Sequence, residues 1–123
     1  MKLRCIVIDD EPLALSLLES YVRQTSFCEL AGSFTSATSC YELVLSGGVD
    51  VVLTDIQMPG VDGMEFAKTI EGKAKVIFTT AFEQYAIDGY KVGAFDYLLK
   101  PVSFKTFYST MCRLFASLEE QTH

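Results

Sequence analysis

The segment LRCIVIDDEP, residues 3–12, contains one complete transition from strand to helix. Its apolar run, from Leu3 to Ile8, is short and nearly continuous, which is typical of a strand buried on both faces of a parallel sheet. Asp9 and Asp10 close that run. Pro12 suits the first turn of a helix, because its missing N–H would have no partner there. The segment therefore predicts a β-α unit with acidic side chains at the carboxyl end of its strand.

The same alternation continues along the chain. Four more β-rich runs predict strands at residues 29–34, 49–53, 75–80 and 95–99. Apolar residues at helical spacing predict helices at residues 14–22, 37–45, 63–70, 84–92 and 104–118. Five β-α units in series imply an α/β fold with a doubly wound, five-stranded parallel sheet. The expected strand order is 2-1-3-4-5, as in flavodoxin-like folds, within a single domain over residues 1–123.

Capping residues mark several of the predicted helix ends. Ser36 and Ser103 are candidate N-caps. Asp62 and Glu65 have the spacing of a capping box, with Asp in place of Ser or Thr. Gly72 fits the position just past the end of the third helix.

Composition and charge exclude several classes of protein. Half of the 123 residues are hydrophobic, which argues against disorder. Apolar runs stay well short of the roughly 20 residues that span a membrane, so we expect a soluble, cytoplasmic protein with no membrane contact. The net charge of −6 and the scattered basic residues argue against nucleic-acid binding by this domain itself.

The positions of the cysteines and of the histidine exclude several kinds of catalytic and metal site. The four cysteines lie in apolar segments without a C-x-x-C pair, and we predict buried free thiols: Cys5, Cys28, Cys40 and Cys112. The one histidine, His123, is the last residue. An internal catalytic triad, a histidine-rich zinc site and an internal phosphohistidine are therefore excluded.

Polar side chains follow four of the predicted strands. The first strand ends at Asp9 and Asp10, the third at Asp55, the fourth at Thr80 and the fifth at Lys100. Because ligands of open parallel sheets bind beyond the carboxyl ends of the strands, we expect these five residues to share one cleft.

Three carboxylates in one cleft require a cation, or raised pKa values, to offset their repulsion. Two charges 4 Å apart repel by on the order of 4 kcal/mol at an effective dielectric near 20. All-oxygen ligation favours Mg²⁺. A magnesium ion beside a carboxylate, a hydroxyl and an ammonium group suits phosphoryl transfer, with Asp55 as the nucleophile that forms an aspartyl phosphate.

Four motifs, taken together and in order, resemble the receiver domains of two-component response regulators. They are IDDEP at residues 8–12, DIQMPGVDG at 55–63, TA at 80–81 and KP at 100–101. The stretches 78–86 and 93–101 further resemble receivers of the LytR/AlgR type, which usually precede a LytTR DNA-binding domain. The resemblance covers essentially the whole chain.

The resemblance implies a role for each site residue. Asp55 is the phospho-acceptor, Thr80 the switch hydroxyl and Lys100 the partner of the phosphoryl oxygens. Mg²⁺ is bound by Asp10 directly, by Asp9 through water, by Asp55 and by the backbone carbonyl of Gln57. Tyr97 is the switch aromatic, and the Lys100–Pro101 peptide bond is cis.

The resemblance also implies partners. A sensor histidine kinase supplies the phosphoryl group, and the face made by the fourth helix, fifth strand and fifth helix forms a homodimer. Candidate residues for that face are Tyr85, Tyr90, Lys91, Lys105 and Tyr108. The output is transcription through a LytTR domain that this chain does not include, so the chain is either part of a longer regulator or a stand-alone receiver.

Two alternatives remain. A phosphatase similar to the haloacid dehalogenase group would need a second Asp two residues after the nucleophile, where this chain has Gln57. A receiver-like interaction module that no longer uses phosphate would have lost a site residue, whereas all five are present. The chain is therefore expected to be a phospho-acceptor switch that assists its own phosphorylation and slow dephosphorylation, and not an ordinary enzyme. The bulk of Phe82 predicts that the phosphoryl group is lost slowly.

Overall fold

The computed structural model describes residues 2–58, 61–82 and 93–121. Its strands are β1 (Leu3–Ile8), β2 (Cys28–Phe34), β3 (Val51–Asp55), β4 (Gln57–Met58), β5 (Val61–Asp62), β6 (Lys75–Thr80) and β7 (Asp96–Leu99). Its helices are α1 (Pro12–Gln24), the 3₁₀ helix η1 (Ala37–Cys40), α2 (Tyr41–Leu45), α3 (Gly63–Thr69) and α4 (Phe104–Gln121). The helix predicted at residues 84–92 lies outside the described residues.

Five of the strands form one parallel sheet. Its order is β2-β1-β3-β6-β7, which confirms the predicted order 2-1-3-4-5 for the five β-α units. The ladder between β3 and β6 continues to the pair Asp55 and Thr79, so the acidic end of β3 lies within the sheet. A separate antiparallel pair, β4 and β5, directly follows Asp55 and was not predicted.

Helices cover both faces of the sheet. On one face, α1 and α4 bury Leu18, Phe107 and other apolar residues against β1, β3 and β6. On the other face, η1, α2 and α3 bury residues such as Val44 and Phe66 against the same strands. Strands enclosed on both sides explain why the β-rich runs are almost continuously apolar.

The predicted second helix is shorter and less regular than its sequence pattern indicates. Residues 37–40 form a 3₁₀ turn, and α2 contains only five residues. Ser36 occupies the predicted N-cap position, before η1, but its side chain makes no capping hydrogen bond. Its hydroxyl instead lies 2.8 Å from that of Thr38, which competes for the same oxygen.

Two predicted helix starts are confirmed. Pro12 begins α1, and Ser103 Oγ accepts a hydrogen bond of 3.1 Å from the backbone N–H of Thr106 at the start of α4. Gly72 has a positive φ of 83°, a conformation that favours glycine past a helix end. The Asp62 side chain of the proposed capping box lies outside the described residues. Helix α4 continues to Gln121, beyond the predicted end at residue 118.

The prediction of buried free thiols is right for three cysteines and wrong for one. Cys5, Cys28 and Cys40 are buried and free, whereas Cys112 is free but exposed. Cys112 follows the buried Met111 by one residue, which turns it about 100° around the helix and toward solvent. Within the described ranges, no helix is both long and apolar enough to cross a membrane.

Candidate functional site

Three carboxylates meet at the carboxyl edge of the sheet. Asp9 and Asp10 follow β1, and Asp55 ends β3, next to β1 in the sheet. One oxygen from each of the three side chains lies within 4.8 Å of the others. Asp9 is fully buried, Asp55 is partly buried and Asp10 is exposed. The sheet therefore brings together the acidic cluster that the strand ends predicted.

Lys100 bridges two of these carboxylates. Its Nζ lies 2.7 Å from Asp9 Oδ2 and 2.9 Å from Asp55 Oδ2. Burial by itself would lower the pKa of Lys100, but the hydrogen bonds and charges of Asp9 and Asp55 outweigh it, so the pKa lies above its ordinary value. The ammonium group is therefore charged at neutral pH and lies against the predicted nucleophile.

The chain just past each strand orients the other carboxylate oxygens. Asp9 Oδ1 accepts a hydrogen bond of 2.9 Å from the backbone N–H of Glu11. Asp55 Oδ1 accepts a hydrogen bond of 3.3 Å from the backbone N–H of Gln57. Both carboxylates are thus held between Lys100 on one side and their own backbone on the other.

Thr80, Phe82 and Tyr97 are connected by hydrogen bonds. Thr80 Oγ1 accepts from the backbone N–H of Phe82 at 3.2 Å, and the Tyr97 hydroxyl donates to the backbone carbonyl of Phe82. The backbone N–H of Lys100 also donates to the Thr80 carbonyl at 2.7 Å. A movement of the Thr80 hydroxyl is therefore linked, through a single residue, to the position of the Tyr97 ring.

A cleft of about 370 Å³ opens over this group of residues. The predicted site residues Asp10, Asp55, Thr80 and Lys100 all line it, and Phe82 forms part of its wall with 45% of its surface exposed. Asp9 lies buried below, where it contacts Lys100. We name this the acidic cleft.

Two backbone features shape the acidic cleft. A Cβ added to Gly63 would lie 2.6 Å from the carbonyl oxygen of Asp55 and 2.8 Å from Cα of Ile56. Only glycine allows α3 to begin this close to the chain that carries Asp55. The Lys100–Pro101 peptide bond, which the resemblance implied to be cis, is cis in the structure.

Tyr21 contributes a contact that the sequence did not reveal. Its hydroxyl donates a hydrogen bond of 2.8 Å to the carbonyl of Val102, 81 residues further along the chain. Tyr21 falls in the apolar stripe of α1, so the pattern indicated only core packing. The bond holds the chain just after Lys100–Pro101 against α1.

Asp96, at the start of β7, is the centre of a second polar network. It accepts hydrogen bonds from Thr110 Oγ1 at 2.7 Å and from the backbone N–H of Tyr97 at 2.7 Å, and it pairs with Arg113. Burial by itself would raise the pKa of Asp96, but the hydrogen bonds from Thr110, Tyr97 and Arg113 and the Arg113 charge lower it overall. This network joins β7 to α4 beside Tyr97.

The donor atoms of the acidic cleft fit Mg²⁺. They are carboxylate oxygens, and hard divalent cations prefer oxygen ligands. Among the described residues, the three clustered carboxylates are paired with one ammonium group, that of Lys100, so an excess of negative charge remains that a divalent cation would offset. Asp10 is exposed at the mouth of the cleft, where an ion with retained water molecules has access.

The parallel sheet of this order, with clustered acids and a lysine at its carboxyl edge, defines the receiver class of signalling domains. Residues 5–111 match the family model of the response regulator receiver domain. The chain belongs to that family, whose members are the regulators of two-component systems.

Relatives and solved structures agree with this assignment. The transcriptional regulatory protein BtsR of Escherichia coli K12 is 35% identical over 114 residues, which cover 91% of this chain and 48% of BtsR. An uncharacterized response regulatory protein of Vibrio vulnificus is 38% identical over 114 residues, which cover 91% of this chain and 47% of that protein. The response regulatory domain of mrkE from Klebsiella pneumoniae superimposes with a TM-score of 0.87 at 28% identity, covering 96% of this chain and 99% of that one. The chain thus spans about half the length of the curated relatives it matches.

Proposed function

We propose that this receiver domain, residues 1–123, is a phosphorylation switch in a two-component phosphorelay. Asp55 accepts the phosphoryl group from the phosphohistidine of a partner sensor histidine kinase. The observation that carries the proposal is the position of Lys100, whose Nζ lies 2.9 Å from Asp55 Oδ2 and 2.7 Å from Asp9 Oδ2. A cation already placed against the acceptor carboxylate is suited to the charge of an incoming phosphoryl group.

The transfer needs little covalent chemistry from the protein. An oxygen of Asp55 forms a bond to phosphorus while the P–N bond of the donor breaks, and its electron pair returns to the imidazole nitrogen. Lys100 offsets charge on the phosphoryl oxygens, and Thr80 donates a hydrogen bond to one of them. Mg²⁺, held by Asp9, Asp10, Asp55 and the backbone carbonyl of Gln57, supplies further positive charge when bound. The chain is both acceptor and substrate, so it is a switch and not an ordinary enzyme.

The hydrogen bonds around Phe82 support a route from phosphorylation to a change of surface. If the Thr80 hydroxyl turns toward the phosphoryl group, it gives up its bond from the Phe82 N–H. Phe82 also accepts from the Tyr97 hydroxyl, so Tyr97 changes its packing with it. Phosphorylation shifts the balance between two pre-existing conformations, because it favours the one in which Thr80 contacts the phosphoryl group.

We propose that the changed surface forms a homodimer. It comprises the helix predicted at residues 84–92, strand β7 and helix α4. Lys105 is exposed on α4 beside β7 and suits such a contact. Tyr108 is also exposed, but its ring packs against Phe27 on the α1 side of the helix, which does not favour a role in this surface. The other candidates, Tyr85, Tyr90 and Lys91, lie outside the described residues.

The output that we propose is transcriptional control through a C-terminal LytTR DNA-binding domain. The similarity to BtsR, a transcriptional regulatory protein about twice as long as the matched region, supports an additional domain in the whole protein. The net charge of −6 argues against DNA binding by the receiver itself. The free buried thiols suit a reducing compartment, which supports a cytoplasmic location.

The phosphorylation step is tested by intact mass. The chain is incubated with acetyl phosphate and Mg²⁺, and a gain of about 80 Da is expected for one phosphoryl group on a carboxylate. Asp55→Asn should show no gain. Glu29→Gln, which removes an exposed acid at the far edge of the sheet, should behave as wild type.

The second arm of this experiment uses a protein donor. If acetyl phosphate gives no adduct, the chain is incubated with a phosphorylated histidine kinase, and the mass is measured again. Absence of an adduct with both donors would overturn the proposed switch and leave a phosphate-independent interaction module. An adduct that persists in Asp55→Asn would place the acceptor elsewhere.

A further inference from the structure

A second cleft lies on the other side of the lysine, between α1 and the chain that follows β7. Its volume is about 370 Å³, and its walls include Ala14, Leu17 and Leu18 of α1 together with Pro101 and Val102. Most of this lining is apolar. We name it the α1 cleft. It adjoins the acidic cleft, and Glu11, Ala81 and Lys100 line both.

The floor of the α1 cleft contains a hydroxyl group without a partner. Thr79 lines the cleft, is fully buried, and its Oγ1 has no hydrogen-bond partner in the described part of the chain. Side chains alternate along a strand, so Thr79 points to the same face as Ile77, which packs in the same core cluster as Leu18 of α1. The unpaired hydroxyl is therefore directed to the α1 side of the sheet, where the cleft lies.

A buried hydroxyl without a hydrogen-bond partner lowers the stability of the folded protein, and a bound ligand that bonds to it would remove that cost. Valine has the same shape and would avoid the cost. Binding sites for small molecules are typically apolar clefts of this size with a few polar groups that fix the orientation of the ligand. The α1 cleft has these properties, with Thr79 as its internal polar group.

We propose that the α1 cleft binds a small, uncharged molecule with an apolar body and one hydrogen-bonding group. The apolar body contacts the leucines of α1 and Val102. The polar group bonds to Thr79 Oγ1, which is closed off from solvent in the unliganded protein, so binding requires the side chains that cover it to move apart. An uncharged ligand fits because Asp9 and Lys100 are already paired with each other at 2.7 Å. The third charged group of the lining, Glu11, is exposed to solvent, and its carboxylate disfavours an anionic ligand. The ligand also contacts Lys100 and Pro101, so its binding is coupled to the acidic cleft.

Two nearly isosteric probes test the proposal on the unphosphorylated chain. p-Cresol carries a ring hydroxyl where p-xylene has a methyl group. Each is titrated into ¹⁵N-labelled protein, and amide shifts are followed at Leu17, Thr79 and Val102. We expect saturable shifts at these amides and tighter binding of p-cresol by about fivefold, the usual size of one net hydrogen bond.

Two variants separate the hydrogen bond from the cavity. Thr79→Val should remove the preference for p-cresol while both probes still bind. Ala14→Leu should fill the cleft and abolish binding of both. Amide spectra of each variant verify that it is folded, and the preference of the wild-type chain for p-cresol is measured independently of either variant.

Three outcomes would overturn the proposal. They are the absence of saturable shifts at these amides in the wild-type chain, equal affinity of the two probes, and an undiminished preference for p-cresol in folded Thr79→Val. The first would mean that the cleft holds water only. These measurements involve no phosphoryl group, so their result is independent of whether Asp55 is the phospho-acceptor.

Discussion

Thr79 and Thr80 are neighbours at the end of β6, but their hydroxyl groups have opposite surroundings. Thr80 Oγ1 accepts a hydrogen bond of 3.2 Å from the Phe82 N–H and borders the acidic cleft. Thr79 Oγ1 is buried on the α1 side and has no partner among the described residues. Alternation along the strand places the two hydroxyls on opposite faces of the sheet. Only Thr80 is therefore positioned to respond to chemistry at Asp55.

Thr79→Val should stabilise the unliganded protein. The substitution keeps the shape of the side chain and removes a buried hydroxyl that lacks a partner, a gain of about 1–2 kcal/mol. The measurement is the free energy of unfolding in urea. Thr80→Val is the matched control and should lower stability, because it leaves the Phe82 N–H without its acceptor. Equal effects of the two substitutions would contradict the different surroundings described above.

Lys100→Met should destabilise the chain and make its stability more dependent on Mg²⁺. Removing the ammonium leaves buried Asp9 beside Asp55 without a cation, which costs about 1–3 kcal/mol after allowance for the partial exposure of Lys100. Added Mg²⁺ should raise the unfolding free energy of Lys100→Met by more than it raises that of the wild type. Lys105→Met, at an exposed position on α4, should change neither value. A response to Mg²⁺ that is the same in all three proteins would argue against the metal site.

Asp96→Asn should be destabilising at neutral pH and much less so in acid. The folded-state pKa of Asp96 is lowered, so its stabilising effect is complete above the pKa of the unfolded chain and is lost as the pH falls through the folded pKa. We expect a loss of about 1–2 kcal/mol at pH 7, limited by the exposure of Arg113, and a smaller loss at pH 3. Urea unfolding of both proteins at the two pH values measures this. A loss that does not depend on pH would mean that the carboxylate charge is not what stabilises the network.

Gly63→Ala should disturb the site as well as the fold. The added Cβ would lie 2.6 Å from the Asp55 carbonyl oxygen, and backbone must move to relieve that overlap. We expect a loss of roughly 2 kcal/mol or more in unfolding free energy and slower phosphorylation of Asp55. Gly48→Ala is the control, because the nearest atom to its Cβ would be 3.7 Å away. Wild-type phosphorylation kinetics in folded Gly63→Ala would show that α3 does not constrain Asp55.

Phe82→Ala should shorten the lifetime of the phosphorylated state. Phe82 forms part of the wall of the acidic cleft that Asp55 also lines, and we expect its ring to hinder the approach of water to the phosphorylated Asp55. The half-life of the adduct is followed by intact mass after removal of acetyl phosphate. Leu45→Ala, which truncates a similarly exposed apolar side chain away from the site, is the control and should keep the wild-type half-life. Equal half-lives in all three proteins would rule out a shielding role for Phe82.

The sequence by itself determined the sheet and the composition of the acidic cleft. Nearly continuous apolar runs indicated which strands are buried on both faces of the sheet. Because the strands are parallel, the residues directly after them, such as Asp9 and Lys100, lie at the same edge of the sheet. Strand β1, strand β6 and the strand order were predicted correctly for this reason. Each of these patterns involves only a few neighbouring residues. They predict a site shared by distant residues only because a parallel sheet places the carboxyl ends of its strands at one edge.

Tertiary structure decided the contacts between residues that no periodic pattern relates. The bond from Tyr21 to Val102 and the network of Asp96 with Thr110 and Arg113 depend on how helices pack against the sheet. The Thr79 hydroxyl is unpaired because no other segment among the described residues places a hydrogen-bond donor or acceptor next to it. The 3₁₀ turn at residues 37–40 and the exposure of Cys112 likewise follow from local geometry and packing. Sequence specifies which groups are available, whereas the packing of distant segments decides which of them find partners.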